Sequence, residues 1–159
     1  MHIDLDHFLE TPEGRIWTSE RNAVAWKQSF AALDEALRAR SSSSVVYIMV
    51  GCQASGKSTW ARARKRDEPH AIIFDAILVK KSERQPILLA AGQHQVPAVA
   101  VWLQTPLQVC LERNAARPTD EVVGEQGLKN VFAALEPPEL SEGFAQVLEV
   151  KHDVRLTTA

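Results

Sequence analysis

Three short apolar runs, at 45–50, 71–74 and 97–103, and a fourth strand-like segment at 146–150, are separated by stretches of helical period. Residues 20–40 hold neither Pro nor Gly. Within them Trp26, Phe30, Leu33 and Leu37 fall at i, i+4, i+7 and i+11, one face of a helix, and Lys27, Gln28, Glu35 and Arg38 lie off that stripe. The pattern predicts an amphipathic helix packed on a sheet, with Ser19 as its cap; a partner-binding face is the alternative. A second helix is predicted over 58–67. A third has Pro86 in its first turn and Gly92 as its stop. A fourth opens on a capping-box pattern at Thr105-Pro106-Leu107-Gln108, its period set by Leu107, Cys110, Leu111 and Asn114. A fifth, over 126–135, turns Leu128, Val131, Phe132 and Leu135 inward and ends at Glu136-Pro137-Pro138.

Strands alternating with helices imply a parallel α/β sheet with right-handed crossovers. The expected architecture is three layers: a mostly parallel sheet of four to five strands with helices on both faces. Residues 1–44 read as a helical extension packed on the core, joined to the first strand by Ser41–Ser44; 45–151 as the main α/β domain; 152–159 as a polar tail. Ahead of the first helix, Thr11-Pro12-Glu13-Gly14 predicts a turn, and Ile16 and Trp17 are candidates to cover part of the core.

Directly after the first strand stands Gly51-Cys52-Gln53-Ala54-Ser55-Gly56-Lys57-Ser58, which fits G-x-x-x-x-G-K-[ST] at every fixed position. Gly51 and Gly56 allow backbone angles closed to other residues, so that the N–H groups of Gln53, Ala54, Ser55, Gly56 and their neighbours through Thr59 can point inward as an anion nest. The helix that follows adds unpaired N–H groups and the positive end of its dipole. Lys57 brings a mobile cation to the outer phosphates, and Ser58 a hydroxyl for a magnesium ion.

The second strand ends in Asp75. In a doubly wound sheet, ligands bind beyond the carboxyl ends of the strands, so Asp75 is expected on the edge that carries the phosphate loop. Two roles are open to it: holding magnesium through water, or accepting the proton of an attacking hydroxyl. Arg113 and Arg117, four residues apart on the fourth helix, are expected on one face, where their guanidinium groups suit the charge of a transferring phosphoryl group. The basic run Arg62, Arg64, Lys65 and Arg66 reads as a solvated helix end, with a nucleic-acid patch as the alternative.

Composition narrows the classes further. The chain has 159 residues, enough for one domain with a real core. Its net charge of −2 gives no whole-protein argument for nucleic acid or membrane surfaces. No apolar run approaches a membrane span, and the acidic first residues lack a signal-peptide core, so a cytoplasmic protein is expected. The two cysteines, Cys52 and Cys110, have no metal-ligand spacing, and the scattered histidines give no zinc site. Cys52 lies inside the loop, where it reads as a small residue the turn tolerates; a redox role is the alternative. An N-K-x-D motif for guanine is absent, which favours ATP.

From about residue 45 to 150 the chain resembles the polynucleotide-kinase-like group of P-loop kinases, which includes zeta-toxin and AAA-type kinases and chains known only as ATP-binding proteins. The resemblance rests on the 51–58 loop, Phe74-Asp75-Ala76, Ala100-Val101-Trp102-Leu103-Gln104-Thr105-Pro106-Leu107, Cys110-Leu111-Glu112-Arg113-Asn114-Ala115-Ala116-Arg117-Pro118, and Leu135-Glu136-Pro137-Pro138 with Glu142-Gly143-Phe144. It implies a P-loop NTPase fold and transfer of the γ-phosphoryl group from ATP and Mg2+ to a hydroxyl, on a nucleic-acid 5′ end or a small molecule. Lys57 and Ser58 would hold phosphate and metal, Asp75 would be base or metal acid, and Arg113 and Arg117 would belong to a closing lid. Members of the group carry two acid-ended strands between loop and lid; here one is visible. A nucleotide-binding regulatory module or weak ATPase is the competing expectation.

Overall fold

The computed structural model describes residues 1–152; most of the expected 152–159 tail lies outside the described residues. In chain order the elements are β1 (His2–Asp4), a 3-10 turn (Leu5–Leu9), a hairpin of β2 (Glu10–Thr11) and β3 (Gly14–Arg15), α1 (Ser19–Arg38), β4 (Val46–Val50), α2 (Lys57–Asp67), β5 (Ile72–Asp75), α3 (Lys81–Gln93), β6 (Ala98–Gln104), α4 (Leu107–Ala115), α5 (Glu125–Ala134) and β7 (Gln146–Lys151). The main sheet runs β1-β5-β4-β6-β7, every neighbouring pair parallel. This is the α/β fold of a P-loop NTPase, with the loop-bearing strand β4 at the centre.

Central strands of a parallel sheet are covered on both faces, which explains their unbroken apolar runs. All five residues of β4 are buried. Val46 and Ile48 face a cluster that includes Leu33 and Leu37 of α1 and Ile87, Leu88 and Ala91 of α3. Tyr47 and Met49 face the opposite cluster, which holds Ala61 of α2, Ile73 and Val101, with Trp60 packed against it. The stripe on α1 is therefore core: Leu33 and Leu37 are fully buried, each worth about 1.5–3 kcal/mol, and Trp26 and Phe30 pack around Phe74 with ring centroids at 6.2 Å and 5.6 Å. Thr18, one residue earlier than expected, caps the helix by accepting from the Arg21 N–H.

The first 44 residues do more than pack a helix on the core. His2–Asp4 joins β5 as a parallel edge strand in the register His2↔Ile73, Ile3↔Phe74 and Asp4↔Asp75. A three-residue strand carrying one buried apolar residue, Ile3, has too little period to be read from sequence.

Helix α3 starts earlier than the sequence suggested. Pro86 lies inside it rather than in its first turn, and Arg84, two residues earlier, is fully buried. Its guanidinium donates to both carboxylate oxygens of Glu142, at 2.9 Å and 3.0 Å, and to the carbonyls of Leu78, Val79 and Glu136 at 3.0–3.1 Å. A bidentate pair with every remaining donor used is the arrangement in which a buried charge is tolerated. It clamps the 136–142 segment to the start of α3.

Candidate active site

The phosphate loop joins the carboxyl end of β4 to the first turn of α2. Its two glycines serve different purposes. Gly56, the residue before α2, has φ +103 and needs the left-handed region. Gly51 has an ordinary φ, contrary to the expectation for it; a Cβ there would lie 2.6 Å from Ser55 Oγ and 3.3 Å from Leu103 Cβ. Close packing, not backbone angle, requires glycine at 51. The other left-handed residue of the loop is Ala54, with φ 60.

Side chains from the next strand brace the turn. Thr105, expected to cap α4, instead donates its hydroxyl to the Ser55 carbonyl at 2.7 Å and is buried; Pro106 takes the cap position of α4. Lys57 is buried, and its Nζ donates to the carbonyls of Gly51 and Cys52 at 3.1 Å and 2.8 Å. Burial pulls its ammonium below the ordinary lysine value, against the attraction of Asp75. Among the described residues, Gln53 Oε1 and Ser55 Oγ are buried with no hydrogen-bond partner, and no side chain caps the first N–H groups of α2. Of these, the Ser55 hydroxyl and the uncapped N–H groups on a positive helix end are donors that suit a bound polyphosphate.

Ser58 Oγ donates to Asp75 Oδ2 at 2.9 Å, so the hydroxyl and the acid meet as the sequence predicted. His2 Nε2 lies 3.3 Å from the same oxygen. Burial acts to raise the Asp75 carboxyl, but the His2 contact, the Lys57 charge and the Ser58 hydroxyl more than offset it, and it titrates below the usual aspartate value. Asp4, opposite Asp75 on β1, behaves in the other sense. Burial, then repulsion from Asp75 and Asp6, pushes its carboxyl up to about 6. One ligand atom each from His2, Asp4 and Asp75 lies within 4.8 Å of the others. The Asp75 carboxylate and the Ser58 hydroxyl beside it are hard oxygen donors that fit Mg2+.

Asp4, Lys57, Ser58 and Asp75 face one cleft of about 1230 Å3, lined also by Gln53, Ala54, Thr59, Arg113 and Arg117. The Arg113 guanidinium stands 3.7 Å from where a Cβ on Gly56 would be. Arg117 lies past the end of α4, so the two arginines do not share a helical face; a turn, with the Arg117 N–H donating to the Asn114 carbonyl at 3.2 Å, returns it to the cleft. Buried Asn114 holds that loop by exchanging hydrogen bonds with the Val123 backbone at 2.8 Å and 3.1 Å. The same loop touches the N-terminal hairpin, where the Arg15 N–H donates to Asp120 Oδ2 at 2.8 Å and Arg15 Nη1 to Asp6 Oδ2 at 3.0 Å.

The basic end of α2 is mostly committed to local partners. Arg64 pairs with Glu68 at 2.7 Å and lies over the Trp60 and Tyr47 rings. Lys65 donates to the carbonyls of Pro69 and Ala71, and Arg66 pairs with Asp67. Arg62 alone of the four lines the cleft.

Sequence reasoning missed His2, Asp4, Asp6, Arg15 and Thr105. The one available signal was the acidic alternation Asp4-Leu5-Asp6 after an apolar residue, too short to mark a strand end.

No helix among the described residues is long and apolar enough to cross a membrane. No curated protein matches the chain. Residues 64–138 match a family model described as an AAA domain. The matched segment runs from α2 through Asp75, Arg113 and Arg117 to Pro138, beginning after the phosphate loop, and together with the strand–loop–helix that precedes it supports a P-loop NTPase of the kinase-like group.

Proposed function

We propose that this protein is an ATP-dependent phosphotransferase that moves the γ-phosphoryl group to a hydroxyl acceptor. The observation that carries the reading is the meeting, in one cleft, of the phosphate loop with two acids of opposite tendency at adjacent strand ends. Asp75, ionised and hydrogen-bonded to Ser58, has the character of the metal-associated acid. Asp4, with its carboxyl near 6, has that of a general base, whose efficiency is greatest when its pKa lies near working pH. Residues 1–9 thereby add a second acid-ended strand, placed ahead of the phosphate loop rather than between loop and lid.

Lys57 would exchange its two loop carbonyls for phosphate oxygens, a move that its four-carbon stem permits. The loop N–H groups and the end of α2 would hold the phosphates, and Ser58 and Asp75 the magnesium. Magnesium, when bound, would draw charge from the β- and γ-phosphoryl oxygens. Asp4 would take the proton of the acceptor hydroxyl. Arg113 and Arg117 would neutralise charge on the transferred group and, with the 117–124 loop, keep water from competing with the acceptor. The acceptor is a small molecule or a polynucleotide 5′ hydroxyl; the pairing of Arg64, Lys65 and Arg66 within the protein leaves less free positive charge for a long polynucleotide.

The test is label transfer from γ-labelled ATP and Mg2+ to panels of hydroxylated metabolites and 5′-hydroxyl oligonucleotides, with equilibrium nucleotide binding measured alongside. Labelled acceptor with wild type and none with Lys57→Ala is expected. Equal nucleotide affinity in Lys57→Ala would overturn the account of the loop. Release of inorganic phosphate alone would make the chain a weak ATPase or a nucleotide-binding regulatory module.

A further inference from the structure

The Cys52 and Cys110 sulfurs are 3.3 Å apart, and both residues are free and buried. They share a small apolar cluster with Leu128, against which Leu107, Leu111, Val123 and Val131 pack. Cys52 is the second residue of the phosphate loop, and its carbonyl is a Lys57 acceptor. Cys110 lies in the middle of α4, one turn before Arg113. The pair therefore bridges the phosphate loop and the helix that carries Arg113.

We infer that Cys52 and Cys110 form a reversible disulfide that locks the phosphate loop to the lid helix and switches nucleotide binding off. A disulfide bond is about 2.0 Å long, so the sulfurs need to approach by about 1.3 Å, within side-chain rotation and small loop shifts. Geometry sets the pairing and local charge sets the order of events. The contact with Cys110, against burial and together with the Lys57 charge, brings the Cys52 thiol down to about 7, whereas Cys110 is held above the ordinary thiol value. Cys52 is accordingly the attacking thiolate.

The oxidant is a peroxide, small enough to enter as the loop opens. The Cys52 thiolate attacks one oxygen of hydrogen peroxide, the O–O bond breaks, and hydroxide leaves to become water. This yields a sulfenic acid at Cys52. The Cys110 sulfur then attacks the Cys52 sulfur; the S–O bond breaks, and the departing hydroxide takes the Cys110 proton as a second water. Two thiols are oxidised by two electrons and one peroxide is reduced. A dithiol restores the pair by exchange. Once joined, residue 52 can no longer shift with the loop as Lys57 exchanges its carbonyls for phosphate, and α4 is held with it.

The effect on nucleotide affinity rests on the phosphate-loop reading above; formation of the bond does not. Full-length protein is treated with stoichiometric hydrogen peroxide, then alkylated under denaturing conditions and weighed. Binding of a fluorescent ADP analogue with Mg2+ is measured before oxidation, after it, and after dithiothreitol. The expected result is an intramolecular Cys52–Cys110 disulfide, affinity at least tenfold weaker, full recovery on reduction, and no response in Cys110→Ala or Cys110→Ser. Two thiols still open to alkylation after peroxide would overturn the inference, as would a disulfide that leaves affinity unchanged. A reduced protein that binds no nucleotide would defeat the proposed function instead, and the disulfide would then stand or fall on its mass and its reversal.

Discussion

Replacing Asp4 with Asn separates stability from chemistry at the strand ends. Asparagine keeps the oxygen that accepts the Asp6 N–H at 3.0 Å and removes the charge that Asp75 and Asp6 repel. In the folded protein the Asp4 carboxyl moves from 3.8 to about 6. Between those values the folded state holds a proton that the unfolded state has lost, so the stability contributed by Asp4 is fully present below about pH 4 and is lost as pH rises through about 6. The change from 3.8 to about 6 corresponds to about 3 kcal/mol; Asp4 is partly exposed, and solvent screening lowers this to about 1–2 kcal/mol. Asp4→Asn is therefore expected to be the more stable protein at pH 8, with Tm higher by about 3–6 °C for a chain of this size, and to lose that advantage near pH 4. Thermal unfolding of both proteins from pH 4 to 8 reads the difference. If Asp4 is the base, phosphoryl transfer in the same variant falls by about 10²–10⁴ while nucleotide affinity stays within a few-fold. A variant no more stable at pH 8, or equally stabilised at pH 4, would refute the electrostatic argument; full transfer activity would refute the role of the base.

Two further substitutions test the frame around the site. Arg84→Met leaves Glu142 as an uncompensated buried carboxylate and frees three carbonyls, which should cost about 3–5 kcal/mol in urea unfolding; a loss below about 1 kcal/mol would mean that the clamp on 136–142 is not formed. Thr105→Val removes the hydroxyl that holds the Ser55 carbonyl and should cost about 1–3 kcal/mol, read as a lower Tm together with weaker nucleotide binding in calorimetry; unchanged affinity would show that the loop keeps its shape without this brace.

The parts of the fold legible in the sequence were those with a repeated signal. Val46–Val50 and its neighbours announce buried strands, and the Trp26–Leu37 stripe announces a core helix, because burial imposes a period on many residues at once. The phosphate loop was legible because its glycines, lysine and serine are fixed by local sterics and charge. Asp75 and Ser58 meet as their placement predicted. What stayed hidden depends on long-range pairing. Arg84 looks like any surface arginine until Glu142 stands opposite it, and Thr105 fits a helix cap as well as it fits a brace. Arg117 shows how a spacing argument fails when the helix stops two residues short of the position it is asked to orient.

The sheet order also bears on how the site comes together as the chain folds. Ser58 and Asp75 are 17 residues apart, and a nascent chain can join them by local strand–helix–strand collapse. His2 and Asp75 are 73 residues apart, so β1 can dock only after β5 exists to receive it, and closure of the longer loop costs more chain entropy. The half of the site that grips phosphate can form from local contacts, whereas the acid of β1 depends on a long-range strand pairing. A fragment cut to begin at Val45 would retain the loop, Asp75 and both arginines, yet it would bare the β5 edge that β1 covers, an open invitation to another strand. The phosphate-gripping core and the edge strand that completes it are thus two separable pieces of chain, one of which also shields the other from aggregation.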